Sequence, residues 1–281
     1  MVVARVRYPK REFGTVTMRK RTNISPLKDR PLRNPGQSLD VQIDDLTADM
    51  LAPILMATMF VVLSAMEWFR WYRDDRPHPL LFSLLAGLGI LYAIFRTRRS
   101  WKRLQSLKLG RDGERAVGQY LEQVREAGAR VFHDIVGKDF NLDHVVLSTK
   151  GFFVVETKTW SKPSRGEANI TYDGEAIRAN GQTHDRDPIK QAISQAAWLR
   201  DLLKESTGRA FPVKPVVVFP GWYVDSAATR AAKARGVWLL NPKMLTGFIA
   251  AEGGSIAAED VKLAAYHLGR YVRMASGYQK A

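Results

Sequence analysis

The sequence contains no cysteine. That excludes a disulfide framework, a thiol nucleophile and any cysteine-ligated zinc or iron–sulfur centre, and it fits a reducing compartment. Any metal here must be held by oxygen or imidazole, and there are only five histidines. Also missing is an apolar stretch directly after the first basic residues, which a cleavable signal peptide needs. No internal repeat is found, and Gly253-Gly254 lacks the lysine and the spacing of a phosphate-binding loop.

What the sequence has in excess is positive charge, +15 overall, and its distribution is uneven. Residues 1–39 carry ten Lys/Arg against Glu12 and Asp29, and residues 96–115 carry eight against Asp112 and Glu114. Residues 40–95 are net acidic, and residues 116–281 carry only +5. The basic excess therefore brackets an apolar region, a pattern that speaks of membrane topology more than of a DNA-binding face.

That region holds two uncharged apolar runs, residues 50–66 and 79–95, each 17 residues long. A membrane span needs roughly 17–25 residues. Trp68, Trp71, Tyr72, Tyr92 and Trp101 sit near the run ends, where interfacial aromatics belong. The expectation is a transmembrane hairpin. Arg96, Arg98, Arg99, Lys102 and Arg103 follow the second run directly and should stay cytoplasmic, which places both termini on the cytoplasmic side of a plasma or inner membrane. The expected organisation is a disordered basic arm and acidic linker over 1–49, the hairpin over 50–96, a basic juxtamembrane linker over 97–109, and a folded domain over 110–281.

The folded domain reads as α/β. Val117, Tyr120, Leu121 and Val124 recur at helical spacing, and Gly128 ends that helix. Strands are expected at 130–136, 142–149, 151–160, 213–219 and 237–240, with a small hairpin around Asp173-Gly174 and Asn180-Gly181. A helix over 188–204, capped by Asp187 and opened by Pro188, and helices over 242–251 and 258–274 complete a mixed sheet flanked by helices.

The chemistry concentrates in residues 141–158. With Lys150-Gly151 as a two-residue turn, Val145 pairs with Glu156 and Asp143 with Lys158, so Asp143, Val145, Glu156 and Lys158 share one face. Glu114 begins the stripe Glu114, Val117, Leu121, Val124 and reaches the sheet from the helix. Carboxylates converging with a lysine suit metal-assisted phosphodiester hydrolysis. Hard oxygen ligands take Mg²⁺ or Mn²⁺, and the lysine serves the attacking water or the phosphate. The bland reading of the same residues is an Asp143–Lys158 cross-strand ion pair with Glu156 in solvent. His144 is expected to pack on the opposite strand face, and His133 and His184 lack partners at metal-binding spacing. Gln191 and Gln195 share a helix face, with Trp198 and Leu202 continuing it into the core.

Gly113-Glu114, Leu142-Asp143-His144-Val145-Val146, Gly151 through Lys158, and Asp187-Pro188 followed by Gln191 resemble the NERD (nuclease-related) domain, a branch of the PD-(D/E)XK nuclease superfamily. The resemblance spans about residues 109–219. It implies a restriction-endonuclease-like fold, with Asp143, Glu156 and Lys158 as catalytic residues, Asp143, Glu156 and Glu114 as metal ligands, and Gln191 lining the site. Asp187 stands where the family often has Asn. The implied activity is a membrane-anchored Mg²⁺- or Mn²⁺-dependent nuclease acting on DNA ahead of RNA. The rival is a non-catalytic, membrane-tethered module that binds nucleic acid or protein on a nuclease-derived fold.

Overall fold

The structure is a computed structural model that describes residues 31–73, 77–137, 139–162, 168–183 and 187–275. Most of the basic arm, residues 1–30, and His184 lie outside the described residues.

Two long helices open the described chain, α1 (Gln37–Tyr72) and α2 (Pro79–Glu126). Both are long and apolar enough to cross a membrane, and only 17% of each apolar window is buried. Leu55, Phe69, Leu84, Leu91 and Phe95 all face outward. The helices approach closely at Gly89, where an added Cβ would lie 3.4 Å from the Ala57 backbone; small residues permit this kind of contact between apolar helices.

The expected linkers on either side of the hairpin are helical instead. Residues 37–49 belong to α1, and residues 97–109 run without a break through α2 into the folded domain. Two physical causes are visible. The basic stretch contains no proline and consists largely of Arg, Lys, Leu and Gln, which are good helix formers. Its charges also point outward, while Leu104 and Leu107 pack on Ile43, Leu46 and Met50 of α1. Asp40 of α1 then pairs with Arg111 and Arg115 of α2. Gly110 leaves room for Leu39, whose Cδ1 would lie 3.3 Å from an added Cβ.

Beyond α2 the chain forms β1 (Arg130–Val136), β2 (Asn141–Ser148) and β3 (Gly151–Thr157), then β4 (Asn169–Tyr172), β5 (Ile177–Ala179) and β6 (Gln182–Thr183). Next come α3 (Pro188–Thr207), β7 (Val213–Val218), β8 (Tyr223–Val224), α4 (Ser226–Ala234), β9 (Trp238–Leu240), α5 (Pro242–Ala251) and α6 (Ala258–Ala275). The main sheet has the order β1-β2-β3-β7-β9, antiparallel on the β1 side and parallel from β3 onward. The region expected as a small hairpin is larger. It is a second sheet, β6-β5-β4-β8, completed by the distant β8.

Alternation along β2 and β3 sends Val145, Leu147, Phe152 and Val154 to the face covered by α3 and α6. Val146, Phe153 and Val155 go to the face covered by α2 and α5. The β2–β3 turn is not the expected one. Ser148 pairs with Gly151, so Thr149-Lys150 makes the turn. Ser148 Oγ explains the choice, since it donates to the Gly151 carbonyl and accepts the Lys150 amide. The change slides the ladder by two places. Every side chain therefore keeps its face, and Asp143 now stands opposite Glu156 rather than Lys158.

Candidate active site

The C-terminal end of β3 opens onto a cleft of about 580 Å³ between the strands, α2 and the start of α3. Asp143, Glu156, Lys158, Glu114 and Gln191 all line it.

Glu156 is only 2% exposed, so its charge must be met by protein. Lys158 Nζ donates to Oε1 at 2.5 Å, Gln191 Nε2 donates to the same oxygen at 2.7 Å, and Gln195 Nε2 donates to Oε2 at 2.7 Å. Gln191 Oε1 accepts a second bond from Lys158 Nζ at 2.9 Å, closing a ring. The two glutamines are presented by α3, which Asp187 caps through the amides of Ile189 and Lys190. The bland alternative, an Asp143–Lys158 ion pair with Glu156 in solvent, is not what forms: Lys158 pairs with Glu156, which is buried.

Asp143 accepts the Thr157 amide at 2.7 Å. Burial, reinforced by the Glu156 and Glu114 charges, pushes its carboxyl well above the usual carboxylate range. Glu114 joins from α2, where Val117 and Leu121 below it are fully buried. Burial raises its carboxyl to about 8, with Asp134 and Glu156 adding repulsion and the Gly36 amide opposing the shift. The cleft therefore holds more carboxyl groups than Lys158 can neutralise, and they resist ionising together. Gly113 lets α2 come this close: an added Cβ would sit 1.7 Å from Thr159 Oγ1.

Several participants were not identified from sequence. Gln195 shares a helix face with Gln191, but its bond to Glu156 depends on the rotation of α3. Asp134 went unnoticed, yet it is 2% exposed, lines the cleft and takes φ 49°, a left-handed conformation that Asp tolerates better than most residues. Arg33, Ser38 and Asn141 surround its carboxylate. The two histidines are cross-strand partners on the opposite face. His133 Nδ1 and His144 Nδ1 lie 2.9 Å apart, and burial holds the His133 imidazole down to about 4 and His144 well below its usual value.

Among the described residues, no three Asp, Glu or His side chains form a group that could hold a metal ion by themselves. The donor chemistry nevertheless suits a hard divalent cation, which needs only one or two carboxylates beside water and phosphate. The Thr157 and Thr159 hydroxyl oxygens are also buried at the cleft without hydrogen-bond partners among the described residues.

Mixed sheets flanked by helices, with buried carboxylates and a lysine at the end of a central strand, define an α/β fold of nuclease-like class. Residues 109–220 match the family model of the nuclease-related domain, NERD. No curated protein and no solved structure matches the chain.

Proposed function

We propose that the protein is a membrane-anchored nuclease, dependent on Mg²⁺ or Mn²⁺, that hydrolyses phosphodiester bonds of DNA ahead of RNA. The observation that carries this reading is the placement of Asp143 opposite Glu156, with Lys158 and Glu114 in the same cleft. Carboxyl groups crowded into a partly enclosed site, where they resist ionising together, are what a divalent cation would hold as carboxylates.

In this reading Asp143 and Glu156 hold the cation, and Glu114 is an outer or second-site ligand. Bound there, the cation supplies a Lewis acid that acidifies water and neutralises charge developing on the phosphate. Lys158, held by Glu156 and Gln191, directs an ammonium at the water or the phosphate oxygen. Gln191 and Gln195 fix Glu156 so that its oxygens do not swing away. The hairpin formed by the apolar parts of α1 and α2 crosses the plasma or inner membrane with both termini cytoplasmic. Glu114 then lies 19 residues beyond Phe95, roughly 28 Å along a continuous helix.

The test is incubation of the full-length protein in detergent with plasmid, linear and single-stranded DNA and with RNA, with and without Mg²⁺ or Mn²⁺. Metal-dependent cleavage by the parent and none by Asp143→Asn is expected. Absence of cleavage under every condition would remove the enzymatic reading. A reporter active only outside the cytosol, fused after Ala281, should stay silent.

A second reading, a non-catalytic binding module on a nuclease-derived fold, draws support from Glu156, whose two oxygens are already occupied by Lys158, Gln191 and Gln195. Salt-sensitive DNA binding that survives loss of the carboxylates, without cleavage, would favour it.

A further inference from the structure

Residues 32–39 lead into and begin α1, ahead of its apolar stretch and outside the residues that match NERD. A tether to the membrane needs no particular contact with the domain it carries. These residues are instead built into the cleft. Arg33 is 7% exposed and grips Asp134 through Nε at 3.0 Å and Nη2 at 2.7 Å. Ser38 gives the same carboxylate its amide and its hydroxyl, each at 2.6 Å, and Asn141 Nδ2 ties Ser38 Oγ to β2 at 2.8 Å. Between them Gly36 packs on Arg111 of α2, one turn before Glu114, where an added Cβ would lie 3.0 Å from Arg111 Cγ and 3.4 Å from its Cα. Gly36 sits at φ 71°, a conformation other residues adopt rarely. Pro35 fills the space that Gly118 leaves open, where an added Cβ would lie 2.7 Å from Pro35 Cγ.

We propose that residues 32–39 are a wall of the candidate active cleft, and that Arg33 and Gly36 are positioning residues for Glu114, so that the membrane hairpin and the NERD domain form one functional unit. Arg33 compensates Asp134, whose carboxylate would otherwise add uncompensated negative charge beside Glu114. Gly36, packed on Arg111, and Pro35, packed on Gly118, hold the segment against the turns of α2 on either side of Glu114 and so set where its carboxyl faces the cleft. Ser38 and Leu39 line the same cleft, so the segment bounds the substrate's space as well as the ligand's orientation. The inference rests on the metal-dependent reading of the cleft, because Glu114 is the group being positioned.

Two substitutions remove the docking by different routes. Arg33→Ala leaves Asp134 buried and unpaired, a change that itself endangers folding. Gly118→Ala touches no polar group and places a better helix former in α2, but its methyl displaces Pro35 and with it the segment. The full-length protein in detergent is titrated with Mn²⁺, following free Mn²⁺ by electron paramagnetic resonance, and assayed for plasmid cleavage; melting is followed in parallel. Expected are a Mn²⁺ affinity about 10–100-fold weaker in both variants and a matching fall in kcat. The KM for DNA should stay within about threefold, consistent with loss of positioning rather than of substrate binding. Gly118→Ala should melt below the parent yet unfold cooperatively, and Arg33→Lys should recover part of the loss seen in Arg33→Ala. Parent-like Mn²⁺ affinity and kcat in a folded Gly118→Ala protein overturns this inference alone. A parent that binds no Mn²⁺ and cuts nothing overturns the metal-dependent reading and this inference with it.

Discussion

Glu114→Gln offers the sharpest test of the carboxylate cluster, because its effect must change with pH in a stated direction. The unfolded chain releases the Glu114 proton near 4.5, whereas the folded protein keeps it until about 8. Within that window the native state binds more protons than the unfolded state, so stability falls as pH rises, and it levels off outside the window. At about 1.4 kcal/mol per tenfold change, the full shift sets a ceiling of roughly 5 kcal/mol above pH 8 and about 3 kcal/mol at pH 7. Glu114 keeps some contact with solvent in the cleft, which trims the expectation to about 1–3 kcal/mol at pH 7. Glutamine retains the acceptor for the Gly36 amide and discards the charge. Melting of the full-length protein in detergent and EDTA, followed by tryptophan fluorescence from pH 4.5 to 8.5, should show parent and variant together at the acid end. The variant should then pull ahead, by about 2–4 °C for each kcal/mol gained. Adding Mn²⁺ should raise the parent midpoint and narrow the gap. A pH-independent offset, or a variant that melts lower throughout, would refute the reasoning.

Other expectations follow from the same geometry. Asp143→Asn keeps the acceptor for the Thr157 amide and relieves a buried charge, so the metal-free protein should melt at or above the parent while cleavage is lost. Glu156→Gln should behave oppositely in stability, losing about 1–3 kcal/mol in a chemical-denaturation series, since three donors converge on that carboxylate and Lys158 loses its counter-charge. His133→Gln should reduce acid sensitivity. The imidazole is held down to about 4, so it contributes stability above pH 6.5 that is lost as pH falls toward 4, by at most about 3 kcal/mol. Gly113→Ala should cost about 2–4 kcal/mol and depress any cleavage, because its methyl and the Thr159 hydroxyl cannot both fit; a melt unchanged from the parent would contradict the close approach of α2.

Periodicity and turn chemistry determined much of this protein from its sequence alone. The apolar runs, the α2 stripe ending before Gly128, the Asp187-Pro188 helix start and the alternation along β2 and β3 are local signals, legible because each reflects a repeat of 3.6 or 2 residues or a specific cap. Alternation also sufficed to put Asp143 and Glu156 on one face, since a ladder shift of two places cannot move a side chain to the other side. Partner choice needed tertiary structure. Lys158 turns to Glu156 rather than Asp143 because Ser148 sets the β2–β3 turn and α3 delivers Gln191 and Gln195 above that strand end. Arg33, Gly36 and Ser38 looked like part of a featureless basic arm, and the basic stretch over residues 97–109 looked like a linker. Contacts separated by about a hundred residues, such as Arg33 to Asp134, leave no periodic trace in the chain, and a continuous α2 depends on packing against α1 that no local propensity reports.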